Sequence, residues 1–131
     1  MTENVQIKMS SNAVKPDIEN TIIIKSPINI TIHPHKRVII NTGLHIRIPK
    51  GYFGCLMSPN QVFIVNGIIE SGNFDEIQVS IVNSSEQIWN IYLGDVICEL
   101  IIIQSKLPQI EIIKDVMNVP GLIQYDESSP L

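Results

Sequence analysis

Leu44-His45-Ile46-Arg47-Ile48-Pro49-Lys50-Gly51-Tyr52-Phe53-Gly54 is the stretch that decides the fold class. Leu44, Ile46 and Ile48 are apolar, and His45 and Arg47 between them are polar. A period of two puts alternate side chains on opposite faces of an extended chain, so this is a strand with one face buried. Pro49-Lys50-Gly51 combines a fixed φ with a residue free to take positive φ, and so reverses the chain. The run from Tyr52 to Met57 follows at once, which makes the unit two adjacent strands joined by a tight turn.

The same rhythm continues in both directions. Upstream, Val5 to Met9 alternates, and Thr21 to Lys25 and Ile28 to Ile32 flank Ser26-Pro27. Pro27 has no N–H for a ladder and must sit at a strand break. His33-Pro34-His35-Lys36 reads as a turn before a strand from Arg37 to Ile40, and Asn41-Thr42-Gly43 reads as a second turn. Downstream, Ser58-Pro59-Asn60 ends one strand. Gln61 to Glu70 is an apolar run broken at Asn66-Gly67, and Ser71-Gly72-Asn73 is a hairpin-type turn. Ile77 to Ile81 alternates again, followed by the polar turn Asn83-Ser84-Ser85-Glu86. Ile88 to Tyr92, the turn Leu93-Gly94-Asp95, Val96 to Ile103 and Ile110 to Ile113 complete the series. No stretch of about 11 residues keeps a helical period. Ten or so short strands at this spacing predict an all-β sandwich, jelly roll or barrel.

Composition agrees. Among 131 residues there are 27 isoleucines and a single alanine, Ala13. β-Branched side chains suit a pleated surface, whereas alanine is the strongest helix former. An apolar fraction of 44% excludes a disordered chain. The net charge of −4, with no basic stripe, argues against nucleic acid as a partner. No run of about 18 apolar residues points to a membrane. The first ten residues lack a signal-peptide pattern. Cys55 and Cys98 lie in apolar contexts and read as free thiols of a reducing compartment, which places the chain in the cytoplasm or nucleus.

Three ordered segments carry a resemblance: Ile46 to Gly54, Gly67-Ile68-Ile69-Glu70, and Leu93-Gly94-Asp95-Val96-Ile97-Cys98-Glu99-Leu100-Ile101. Together with Thr42-Gly43 and a strand-ending Asn83, they resemble the trimeric deoxyuridine triphosphatases (dUTPases) from about Ile22 to Ile113. The resemblance implies an antiparallel jelly roll, or distorted barrel, that assembles as a homotrimer. Such a domain would span residues 1–117, with an irregular C-terminal arm at 118–131.

Five functional motifs come with that family, and here they are eroded. The first, A-G-Y-D-L, falls on Asn20 to Ile24 and puts Ile23 where the family keeps an aspartate for the metal–triphosphate. Asp17 reaches that position only after a shift of several residues. The second, P-R-S-G-L, falls on Ser58 to Val62, with Pro59 for arginine and Asn60 for the phosphate-contacting serine. The third, G-V-I-D-x-D-Y-x-G, falls on Gly67 to Asp75. Glu70 occupies the water-activating position, one methylene longer than aspartate; Gly67 and Ile69 keep the hairpin that reads uracil; and Phe74 is the candidate for the missing sugar-stacking tyrosine. Catalysis tolerates such displacements poorly. The fourth keeps Gly94-Asp95 but replaces arginine by Val96 and a phosphate-side glutamine by Glu99. The fifth, a glycine-rich phosphate clamp, falls on Pro120 to Ser129. It retains Gly121 and Tyr125, the latter at the base-stacking position, and adds Asp126 and Glu127.

The residues that build strands and turns are kept, and the polar ones that do chemistry are replaced. Losing one charge-assisted contact costs about 1.5–3 kcal/mol. Hence the expectation is a dUTPase-like scaffold without dUTP hydrolysis, needing no cofactor, that acts as a viral protein-interaction module with a host or viral partner. Ser26-Pro27-Ile28-Asn29 and Pro49 to Gly54 also look like the adenoviral early-region proteins derived from dUTPase. The alternative is an active dUTP diphosphatase using Mg2+ with Glu70 as base. A β-rich module with no site is a third.

Lesser candidates remain. His33-x-His35, or Asp95 with Glu99, could hold a metal, although a solvated turn and a turn-stabilising carboxylate are the plainer readings. His45 should face solvent. Trp89 and Tyr92 read as core or subunit contacts, and Tyr52-Phe53 as packing. Ser129 and Leu131 fit the carboxyl-terminal pattern that PDZ grooves capture by strand addition.

Overall fold

A computed structural model describes residues 4–59, 63–65 and 67–114. Asn60, Tyr125, Ser129 and Leu131 lie outside these, as does the arm at 118–131 with its boundary. Every element among the described residues is a strand. In chain order they are β1 (Gln6–Met9), β2 (Asp17–Ile18), β3 (Ile22–Lys25), β4 (Ile30–Ile32), β5 (Arg37–Arg47), β6 (Tyr52–Met57), β7 (Phe63–Val65), β8 (Ile68–Ile69), β9 (Glu76–Val82), β10 (Trp89–Ile91) and β11 (Val96–Gln104).

The strands form an antiparallel four-stranded sheet in the order β1-β5-β9-β7 and a five-stranded sheet in the order β2-β3-β11-β6-β8. A two-stranded ribbon, β10-β4, completes the described fold. The apolar members of each alternating strand meet between the sheets. Ile40, Leu44 and Ile46 of β5 and Val79 and Ile81 of β9 join Ile22 and Ile24 of β3, Leu56 of β6 and Leu100 of β11. Isoleucine packs well on a pleated surface, and these strands use it as the main core residue. Gly54 sits in tight core packing: a Cβ there would lie 2.7 Å from Leu100 Cδ1 and 2.8 Å from Ile48 Cδ1.

Two expectations are corrected. Thr42-Gly43 is no turn but lies inside β5, where the register to β9 shifts between Asn41 and His45. Gly43 has φ of 75°, Thr42 Oγ1 donates to Ile77 O at 2.7 Å, and the Gly43 amide donates to Glu76 Oε2 at 2.8 Å. These bonds hold a bulge in the strand instead of letting it reverse. Ile110 to Ile113 is not a strand either. Ile110, Ile112 and Ile113 are 66%, 91% and 80% exposed, and no strand among the described residues pairs with them.

Asn83 closes the end of β9. Its side chain is fully buried and donates to Ile32 O at 2.9 Å and Gln87 O at 2.7 Å. It also accepts from the Ser85 amide at 3.0 Å and the Ser85 hydroxyl at 2.8 Å. Trp89 packs against the core, as expected, while Tyr92 is exposed.

Candidate functional site

The segment from Gly67 to Glu76 carries the chain from the five-stranded sheet to the four-stranded one. Gly67 lies against β6, where its carbonyl accepts from the Leu56 amide and a Cβ would come within 3.2 Å of Leu56 O. Ile69 is buried against Gly54, its register partner. Glu70 then emerges into solvent, and its carbonyl accepts from the Asn73 amide at 3.4 Å. Gly72 turns at φ of 79° and donates its amide to Ile48 O at 3.1 Å. Asn73 Oδ1 accepts from the Asp75 amide at 2.9 Å, a local loop that fixes the approach to β9.

A cleft of about 250 Å³ opens beneath this segment, lined by Leu56, Ile69, Asn73, Asp75, Glu76 and Gln78 among others. Its two carboxylates make it unfavourable for an anion. Phe74 points elsewhere. Its ring packs edge-on to His45, with centroids 6.2 Å apart, and the Arg47 guanidinium lies 4.6 Å from its centroid. His45 is therefore half-buried rather than solvent-facing, and its Nδ1 bonds Phe74 O at 3.0 Å. A carbonyl only accepts, so Nδ1 carries the proton. These contacts anchor Phe74 to β5, which the sequence reading, with a sugar-stacking role in view, did not foresee.

The remaining candidates sit on the outer face of the five-stranded sheet. Ile23 of β3 is paired directly with Glu99 of β11, and Glu99 in turn with Met57 of β6. Asp17 of β2 pairs with Ile23 from the other side, and its carboxylate is tied to Lys25 Nζ at 2.7 Å. Burial, with the Glu99 charge next to it, pushes the Cys98 thiol from its ordinary value of 9.0 to about 12. Cys55 and Cys98 are both free thiols.

One member of each candidate metal pair has another partner. His35 turns at φ of 61° and its Nε2 contacts Glu86 Oε1 at 2.9 Å. Asp95 Oδ2 accepts from the Tyr92 amide at 2.8 Å, the turn role expected of it. Among the described residues, no three His, Cys, Asp or Glu side chains converge to hold a metal ion. Mg2+ held beside a triphosphate keeps several waters and is bound by phosphate oxygens with one or two carboxylates. At this row the family's aspartate position holds Ile23, and the nearby Asp17 carboxylate is bound to Lys25.

A dUTPase family model matches residues 23–122. The chain belongs to the dUTPase family. It is 34% identical over 82 residues to the deoxyuridine 5'-triphosphate nucleotidohydrolase of Finegoldia magna, covering 56% of this chain and 57% of that protein. The chain thus spans little more than half the length of the bacterial enzymes it matches. The swinepox virus nucleotidohydrolase is 26% identical over 119 residues, with 82% of this chain and 83% of the relative covered. The Early 4 ORF1 protein of human adenovirus C serotype 2 is 30% identical over 99 residues, with 72% and 75% covered.

Solved dUTPases share the fold. A D95E mutant of the phage 80alpha dUTPase superposes with a TM-score of 0.73 at 22% identity, over 98% of this chain and all of the phage chain. The D95N mutant from phage phi11 of S. aureus, which coordinates a structural Mg(II) ion, gives 0.71 at 19% identity, over 88% and 99%. The all-β jelly-roll architecture expected of the family is the one observed. Among the described residues, no helix is long and apolar enough to cross a membrane.

Proposed function

We propose that this chain is a dUTPase-family scaffold that no longer hydrolyses dUTP and serves instead as a protein-interaction module. One observation carries the reading: Ile23 and Glu99 are cross-strand partners. The motif resemblance puts them at the positions of the metal–triphosphate aspartate and a phosphate-side glutamine. An apolar residue and an anionic one thus stand side by side where a triphosphate would need charge-assisted donors. Loss of several such contacts, at about 1.5–3 kcal/mol each, removes the affinity and preorganisation that hydrolysis requires. Glu70, at the position of the water-activating base, is solvent-exposed and has no converging metal ligands among the described residues.

The module is a homotrimer in this reading. Leu107, Ile110, Ile112 and Ile113 are more than half exposed in the single chain, and so is Ile68 on the edge strand β8. Exposed apolar side chains in such number are found at subunit contacts. Viral relatives from swinepox virus and adenovirus support a viral source, with a host or viral protein as the further partner. Calorimetric titration with dUTP and Mg2+, together with sedimentation equilibrium, tests the reading. It predicts a trimer with no measurable heat of dUTP binding at micromolar protein. A stoichiometric dUTP isotherm would overturn it.

A further inference from the structure

A second cleft lies between the β5–β6 turn and the 70–75 segment, and its charge is opposite to that of the acid-lined cleft. It encloses about 300 Å³, and its lining includes Asn4, Arg47, Lys50, Ser71 and Gly72 but no acidic residue. Its two walls are fixed to one another by the bond from the Gly72 amide to Ile48 O at 3.1 Å. Arg47 is oriented by stacking, with its guanidinium carbon 4.6 Å from the centre of the Phe74 ring. Stacking occupies a face of the guanidinium and leaves its in-plane N–H groups as a fork suited to two oxygens of one anion. Among the described residues, neither Arg47 nor Lys50 forms an ion pair, although acids outnumber bases in the chain by 13 to 9.

We infer that this cleft binds a phosphate monoester. Two unpaired cations lining one small cleft repel each other, and a dianionic phosphate compensates both charges where a carboxylate would compensate one. The Ser71 hydroxyl and the Asn4 side chain provide neutral donors at the same cleft. The volume exceeds that of a phosphate group, leaving room for a small organic substituent on the fourth oxygen. The cleft does not include the Ile23–Glu99 row, which lies on the other sheet, while Ser71 and Gly72 belong to the segment that resembles the third motif.

Titration of the full chain, followed by 1H–15N correlation spectra, tests this with inorganic phosphate, phenyl phosphate and acetate as probes. The expected result is saturable shifts at Lys50, Gly51, Ser71 and Gly72 with both phosphates, at least about tenfold tighter than with acetate. Tighter phenyl phosphate marks a monoester site; tighter inorganic phosphate overturns the monoester assignment. Lys50→Gln, at an exposed turn, should weaken binding by about tenfold without changing thermal stability. Arg47→Lys should weaken it because the fork is lost although the charge stays. Lys36→Gln, on the β4–β5 turn, should leave it unchanged. Linear unsaturated shifts, equal response to acetate, or equal affinity in the Lys36 and Lys50 variants would overturn the inference.

Discussion

Replacing Asn83 tests how the β9 end and the β10–β4 ribbon are held together. The side chain makes four hydrogen bonds: two donated to Ile32 O and Gln87 O and two accepted from Ser85. At about 1 kcal/mol net per bond, Asn83→Ala should lose roughly 3–4 kcal/mol, since carbonyl groups are also left without partners in a buried setting. That is a large share of the roughly 5–15 kcal/mol by which a domain is stable, and corresponds to a fall in Tm of about 10–20 °C. Asn83→Asp separates the donors from the acceptors. A carboxylate still accepts from Ser85, yet turns an oxygen on the Ile32 and Gln87 carbonyls. The new acid should have its folded-state pKa raised above the unfolded value of about 3.9. Its penalty is then absent below the unfolded value and grows as pH rises to the folded one. Urea denaturation of both variants at pH 3 and pH 7, each referenced to the unmodified chain at the same pH, is the assay. An Asp variant as stable as the parent at pH 7, or a loss independent of pH, would refute the reasoning.

The other predictions concern the core and its thiol. Gly54→Ala should cost about 1–3 kcal/mol by overpacking against Leu100 and Ile48, measured by urea denaturation. Leu100→Ala, at a fully buried position, should cost about 2–5 kcal/mol by leaving a cavity. Ser80→Ala should be neutral or stabilising, because the Ser80 hydroxyl is buried without a hydrogen-bond partner among the described residues. Cys98 stays protonated in the fold to about pH 12, while the unfolded thiol ionises from about 9.0. Its contribution to stability is therefore fully present below pH 9 and declines at about 1.4 kcal/mol per unit towards pH 12. Denaturation between pH 8 and 10.5 should show that slope reduced in Cys98→Ala.

Much of the fold is legible in residues whose environment is local. The alternation of Leu44 to Ile48 defines which face of β5 is buried, and Pro49 to Gly51 defines the turn that follows. Where the sequence misleads, a distant partner decides. Thr42-Gly43 has the composition of a turn, but Ile77 O and the Glu76 carboxylate, more than thirty residues away, hold it inside a strand as a bulge. Ile110 to Ile113 has strand composition, yet a strand needs a partner, and among the described residues none pairs with it. The site divides in the same way. The resemblance singles out Ile23 and Glu99 by motif position, but only the register of β3 on β11 makes them neighbours. Phe74 suggests a sugar platform by its ring alone, whereas Arg47 and His45, reached across the sheet, anchor it to β5.

The central claim is that the scaffold persists without its hydrolytic chemistry. Pyrophosphate release from dUTP by the full chain, with excess Mg2+ at pH 7.5, tests it most directly. The account predicts a rate equal to the protein-free background, unchanged by Glu70→Gln. Turnover above that background, abolished by Glu70→Gln, would contradict it.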